Sequence, residues 1–254
     1  MALTYTQPIA QNHFSFDTSL GQNIRVEKSL ILESLIHAHT IIDKFAKFDV
    51  DVFGILGMRN LSAFIGELFC ASIIKHSEGL FLKNPHQDGY PDLLAMNRDG
   101  KRLWGELQSQ LRHKQPFSPF TNGGIEVKAT CGSVPTPAQC VRLNIIKPDI
   151  GDQRISVLRG YDWKAHHRDT NNLLGILWDF IDGVPRIVGV FFSNRLTTND
   201  WGVIVQPKEG GGRTTSVSIM PRAGVRKMYD GTLFVLNDAR YKTFLNNYNG
   251  SDLL

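Results

Sequence analysis

Two apolar runs, Leu173 to Ile181 and Arg186 to Phe192, flank the dipeptide Asp182-Gly183 and constrain this chain more than any other feature. Asp-Gly between two apolar runs is a hairpin turn, because both central residues adopt positive φ at little cost. Neither run alternates strictly between apolar and polar side chains. Near-continuous apolar strands are buried on both faces, so other elements must cover the sheet above and below. That requirement points to an α/β layer architecture rather than to a one-sided sheet. With 254 residues, of which 42% are hydrophobic, the chain can bury one substantial core or two small ones, and we read residues 1–254 as a single domain.

Helices to cover such a sheet lie in the N-terminal third. From Ile24 to Phe48 the positions Leu32, Leu35, Ile36, His39, Ile42 and Phe45 fall at three- and four-residue steps, as on an amphipathic helix. Asp49-Val50-Asp51 and Gly54 break it. A second helix fits Asn60 to His76, with Leu61, Phe64, Ile65, Leu68, Phe69 and Ile73 as its stripe and Glu67 beside that stripe, where an acid is more often a partly exposed flank residue with a salt-bridge partner. Residues 1–22 are polar and mixed, and read as an arm. No apolar stretch approaches the length of a membrane span, and the first residues lack a secretory pattern. Three cysteines without metal-ligand spacing argue against a disulfide framework and for a reducing, cytoplasmic setting. A net charge of +4 is compatible with a polyanionic partner.

The chemistry concentrates on two further strand-like segments. Leu80 to Leu82 and Asp92 to Met96 read as strands, as does Arg102 to Gln108, with Asn97-Arg98-Asp99-Gly100 as the hairpin turn between the last two. In Gly124 to Thr130, side-chain alternation sends Glu126, Lys128 and Thr130 to one face and Ile125, Val127 and Ala129 to the other. Pro91 is tolerated at a strand's first residue, and it places Asp92 just ahead of an apolar run. If the two segments pair, Asp92 and Glu126 form a cluster of hard oxygen ligands suited to Mg²⁺ on a phosphate substrate, with Lys128 beside it. The plainer alternative is two half-exposed strands with solvated charges.

Basic and polar side chains cluster in three places. Ser109 to Asn122 carries Arg112, His113 and Lys114 with Phe117 and Phe120 interleaved, a composition that suits phosphate contacts and equally a surface loop with two aromatic anchors. The stretch 131–172 is irregular apart from a plausible strand at Ile155 to Leu158. Its last part holds Lys164, His166, His167, Arg168 and Asn171, residue types that read base edges or phosphates and that equally suit a polar connector before a strand. A metal site at His166 and His167 with Asp169 is disfavoured, because adjacent side chains diverge. Further strands fit Gly202 to Gln206 and Ser216 to Met220, linked by a glycine-rich loop through Arg213. That loop lacks a phosphate-binding P-loop pattern. The tail from Asp238 to Tyr248 reads as a short helix.

Pro91-Asp92 followed by Glu126-Val127-Lys128 resembles the motif of the PD-(D/E)XK nuclease superfamily, from the helix before Pro91 to the strand ending at Thr130. The resemblance implies a restriction-endonuclease-like mixed β-sheet flanked by helices. It also implies a Mg²⁺-dependent endonuclease on double-stranded DNA similar to type II restriction enzymes, acting as a homodimer on a palindromic site. Asp92 and Glu126 would hold the metal, Glu67 would add to its shell from the preceding helix, and Lys128 would position the attacking water. DNA contacts would come from Arg112, Lys114, Lys164, His166, His167, Arg168, Asn171 and Arg213, with 131–172 as a DNA-contacting insertion. Two alternatives stay open: a structure-specific repair or recombination nuclease of the same superfamily, and a non-catalytic DNA-binding module. The motif itself has a second form, Glu106-Leu107-Gln108, which lies closer to Asp92 in sequence. Glu126 and Lys128 are preferred because Lys128 supplies positive charge and Gly123-Gly124 permits close backbone approach to a ligand.

Overall fold

The computed structural model describes residues 3–166, 168–207 and 216–249. In chain order, strand β1 (Tyr5–Thr6) is followed by β2 (His13–Asp17) and β3 (Asn23–Glu27), then helices α1 (Lys28–Phe45) and α2 (Val52–His76). Strands β4 (Phe81–Lys83) and β5 (Leu93–Ala95) precede helix α3 (Arg98–Leu107). Strand β6 (Gly124–Thr130), helix α4 (Pro137–Leu143) and strand β7 (Lys164–Ala165) lead to the long pair β8 (Leu173–Ile181) and β9 (Val184–Ser193). The chain ends in β10 (Ser218–Ile219), α5 (Arg222–Asp230), β11 (Thr232–Leu236) and α6 (Ala239–Asn249).

Seven strands form one mixed sheet in the order β1-β11-β9-β8-β6-β5-β4. β8 and β9 are antiparallel around Asp182 and Gly183, whose φ values of 52° and 74° are those the turn requires. Their apolar character has the expected cause, since both faces are covered. On one face Leu174, Ile176, Trp178 and Phe180 pack with α1 and α2 through Ile31, Leu35, Leu61, Ile65 and Phe69. On the other, Leu173 and Leu177 pack with Trp163, Val225 and Met228 of the C-terminal half. Gly175 lies directly under Trp163, and a Cβ there would come within 2.6 Å of the indole. The fold is thus mixed α/β with a seven-stranded sheet flanked by helices, and β6 stands inside it, parallel to β8 and antiparallel to β5.

Several expectations are corrected. The N-terminal segment is no arm: β2 pairs with β3, Phe14 and Phe16 are buried, and β1 extends the sheet along β11. Asn23 to Glu27 is consequently a strand, and α1 begins only at Lys28. Its inward stripe is Ile31, Leu35, Ala38, His39 and Ile42, while Ile36 is exposed. Helix α2 starts eight residues earlier than expected, at Val52, and kinks at Gly57, whose φ of 67° leaves the helical region. By length and composition it could cross a membrane, contrary to the expectation that no apolar stretch approaches that length. Here its stripe of Leu61, Ile65, Phe69 and Ile73 is spent on the sheet.

Asn97 to Gly100 is a helix start rather than a hairpin turn. The Asn97 side chain accepts the Gly100 N–H at 3.0 Å, a standard N-cap, and Arg98 to Leu107 is the amphipathic helix α3. Phe117 and Phe120 are buried with Leu94 and Met96 beneath it, so both aromatics of that basic loop are anchors. Ile155 to Leu158 forms turns rather than a strand. Of the strands expected at Gly202 to Gln206 and Ser216 to Met220, the first is reduced to a single bridge between Val205 and Val217, while the second holds the short β10, which pairs with β7.

Candidate active site

The pairing of β5 with β6 builds the site. Leu93 stands opposite Ile125 and Leu94 opposite Gly124, so the register carries Asp92 to a place across from Glu126. The two backbones approach closely because of Gly124, where a Cβ would fall 1.9 Å from the Leu93 carbonyl oxygen. This glycine therefore serves the strand pair, and not the approach to a ligand expected from sequence. Asn172 fixes the other side: its Nδ2 donates to the Gly124 carbonyl at 3.2 Å, and its own carbonyl accepts the Glu126 N–H at 3.0 Å. Asn84 ties the loop in front, donating to the carbonyls of Pro91 at 3.0 Å and Phe117 at 2.8 Å.

Asp92, Glu126 and Lys128 converge. Asp92 Oδ2 accepts the Val127 N–H at 2.9 Å, and Glu126 Oε2 accepts the Asp92 N–H at 3.1 Å, so each acid is held by the other's strand. Lys128 Nζ lies 3.5 Å from Asp92 Oδ2 and pairs with Glu126 Oε1. Glu126 is only 3% exposed. Burial raises its carboxyl to about 7, and the Asp92 charge adds to the rise against the pull of Lys128. For Lys128 burial works to lower the ammonium, but the Glu126 and Asp92 carboxylates outweigh it and hold it above its ordinary range. Two carboxylates and one ammonium thus form a compact anionic cluster under partial exclusion of water.

The cluster lines a cleft of about 600 Å³ together with α2 (Ser62, Gly66, Glu67 and Cys70) and the Gln87–Gly89 loop. Among the described residues no three His, Cys, Asp or Glu side chains gather with metal-ligand spacing. Mg²⁺ asks for less than that. It commonly takes one or two carboxylates and completes its shell with substrate phosphates and water. No group among the described residues bonds Asp92 Oδ1, so this donor set has an oxygen to spare. The pair fits such an ion.

The remaining expected residues divide. Lys114, Lys164 and His166 line the same cleft, the last with Nδ1 2.9 Å from the Ser216 carbonyl oxygen. Glu67 also lines it, but is ion-paired with Lys83, a partner the sequence did not single out. Arg168 Nη2 donates to the Thr198 carbonyl at 2.8 Å, so this arginine ties its segment to the Thr198–Asp200 turn. Asn171 is exposed and accepts the Asn172 N–H through Oδ1 at 2.9 Å. Arg112 is exposed on its loop and does not line the cleft. His167 and Arg213 lie outside the described residues. Glu106 sits on α3, paired with Arg102 at 2.7 Å, and Gln108 follows in a short 3₁₀ turn, so neither faces Asp92 across a hairpin.

Sequence reasoning missed Asn84 and Asn172, buried amides that fix the two strands; a lone asparagine gives no signal without its partners. Comparisons with protein-family models, with curated proteins and with solved structures find no match to this chain.

Proposed function

We propose that the chain is a Mg²⁺-dependent endonuclease that hydrolyses phosphodiester bonds at a specific site in double-stranded DNA. In this reading it has a restriction-endonuclease-like fold of the PD-(D/E)XK kind. The observation that carries the reading is the convergence of Asp92, Glu126 and Lys128 at the floor of a cleft rimmed by Lys114, Lys164 and His166. Two acids and one ammonium held by opposed strands are what hydrolysis of a phosphate diester needs. Asp92 and Glu126 would hold the metal. When bound, Mg²⁺ supplies charge neutralisation at the scissile phosphate and a lowered pKa for water. Lys128 orients the water and places positive charge where the phosphorus oxygens gain negative charge. The mutual backbone hydrogen bonds of Asp92 and Glu126 keep both carboxylates in place before substrate arrives. Lys114 and Lys164 on the rim attract backbone phosphates without regard to sequence. A homodimer would match a palindromic site with its own two-fold axis, and the cytoplasm is where such an enzyme meets DNA.

The test is a digest of plasmid DNA with Mg²⁺. Discrete fragments support this reading. Cleavage confined to junctions or ends would assign the chain to structure-specific repair, and intact DNA with binding retained would make it a binding module. Asp92→Ala and Lys128→Ala should each lower cleavage about a hundredfold or more while leaving duplex binding in Ca²⁺ intact. Wild-type turnover in either variant, read on a gel time course, sinks the assignment.

A further inference from the structure

Among the described residues, Arg154 is buried without a counter-ion. It is 9% exposed, and no carboxylate among the described residues pairs with its guanidinium. Among the described residues its Nε has no hydrogen-bond partner, and Nη1 reaches only the Met58 Sδ at 4.0 Å. A guanidinium does not shed its proton, and its planar fork of five N–H donors matches a phosphate. The backbone holds it rigidly, since Asp179 accepts the N–H groups of Arg154 and Ile155 at 2.9 and 3.1 Å. That carboxylate is thereby occupied in positioning the arginine's main chain.

The side chain lines a pocket of about 430 Å³ walled by Val134–Pro137, Met58 and the Lys147–Ile150 turn, with the exposed Lys147 at its rim. Asp149 is there too, its Oδ1 taken by the Ile150 N–H at 2.8 Å. The pocket is aligned with the candidate active site by α2. Met58 lines the pocket, and Ser62, Gly66 and Cys70 line the cleft. Those four residues recur at i+4 steps, so they form one stripe of the helix. From Met58 to Gly66 the stripe runs ~12 Å, which is about three to four nucleotides of duplex rise.

We infer that Arg154 and Lys147 form a phosphate site, occupied by a backbone phosphate of a DNA strand that leaves the cleft along α2. The phosphate chemistry follows from the uncompensated guanidinium and the lysine. The DNA as its source rests on the nuclease reading.

The full chain is tested in two arms. In the first, millimolar orthophosphate is added and thermal unfolding is followed for the wild type, Arg154→Met, Lys147→Met and Asp92→Ala. The Tm should rise for the wild type and Asp92→Ala, and stay unmoved for Arg154→Met. In the second, duplex binding in Ca²⁺ is measured against salt. Arg154→Met and Lys147→Met should each bind about tenfold more weakly, with the slope of log K against log salt reduced by about one. Wild-type affinity and slope in both variants, with phosphate stabilisation independent of Arg154, overturn the proposal. If Arg154→Met does not fold, Lys147→Met alone decides by the same affinity and slope. If the wild type neither binds nor cuts DNA yet gains Arg154-dependent stability from orthophosphate, the nuclease reading fails and the phosphate site stands with a free phosphate as its ligand.

Discussion

The choice between two glutamates turns on single residues. Glu106 lies closer to Asp92 in sequence, but it rides on α3 and pairs with Arg102 on the surface. Glu126 accepts the backbone N–H of Asp92 itself. Glu106→Ala should therefore cut at the wild-type rate, and Glu126→Ala should lose about a hundredfold or more, with circular dichroism confirming that both fold. The reverse result would move the site to α3. His39 gives a residue-scale expectation about stability. Its Nε2 accepts the Ile187 N–H at 3.0 Å, so Nδ1 carries the proton toward Tyr5 Oη, 3.3 Å away, and Tyr5 donates in turn to the Ile187 carbonyl at 2.7 Å. Burial, reinforced by Arg186, lowers its pKa to about 4. Below that value both folded and unfolded states bind the proton. Between about 6.5 and 4 only the unfolded state does, so stability falls as pH falls through that window. Unfolding in urea at pH 7 and pH 5 should show a loss of about 2 kcal/mol from this group, and His39→Gln should flatten the difference. An equal pH dependence in the variant would place the titration elsewhere.

At the scale of elements, what could be read from the sequence depended on how local the determining forces are. The β8–β9 hairpin was legible because Asp182-Gly183 and two apolar runs suffice to specify it. Asn97 to Gly100 misled because asparagine three residues before glycine serves a turn and a helix N-cap equally. Tertiary partners decide between them: Asn122 Nδ2 bonds both the Ala95 carbonyl and Asn97 Oδ1, at 3.0 and 2.8 Å. Leu103, Trp104 and Leu107 then find their cover over Phe117 and Phe120, contacts distant in sequence. The pairing of β5 with β6 was legible in residue type, yet the reason for Gly124 was not, since only the structure sets the Leu93 carbonyl against it. Gly124→Ala should cost about 1–3 kcal/mol through overpacking and should spread the two carboxylates. Its expected signature is lost Mg²⁺-dependent cleavage together with a lowered Tm. An unchanged melt with unchanged cleavage would show that the strands relax around the added methyl.

Across the whole molecule, the largest gap between sequence and structure lies at the N-terminus. Scattered aromatics among polar residues gave no periodic signal, because β2 alternates over only five residues and β1 over two. Its partners are far along the chain. Tyr5 pairs with Leu236 on β11, the Phe14 ring packs tilted against Phe192 with centroids 4.3 Å apart, and the Asn237 N–H donates to the Thr4 carbonyl at 2.8 Å. The same segment compensates a buried charge. Lys28 is 3% exposed, and its Nζ donates to the Ile9 carbonyl at 2.7 Å. Removing residues 1–17 would uncover β11, empty the sites of Phe14 and Phe16, and strip Lys28 of that acceptor. Truncating a buried phenylalanine to alanine alone costs about 3–5 kcal/mol, and two such losses approach the whole stability of a typical domain, about 5–15 kcal/mol. The shortened chain should therefore show no cooperative thermal transition. Phe16→Ala, in the full chain, should retain one and melt about 10 °C lower. A shortened chain that melts cooperatively at the full-length Tm would return the segment to the status of an arm.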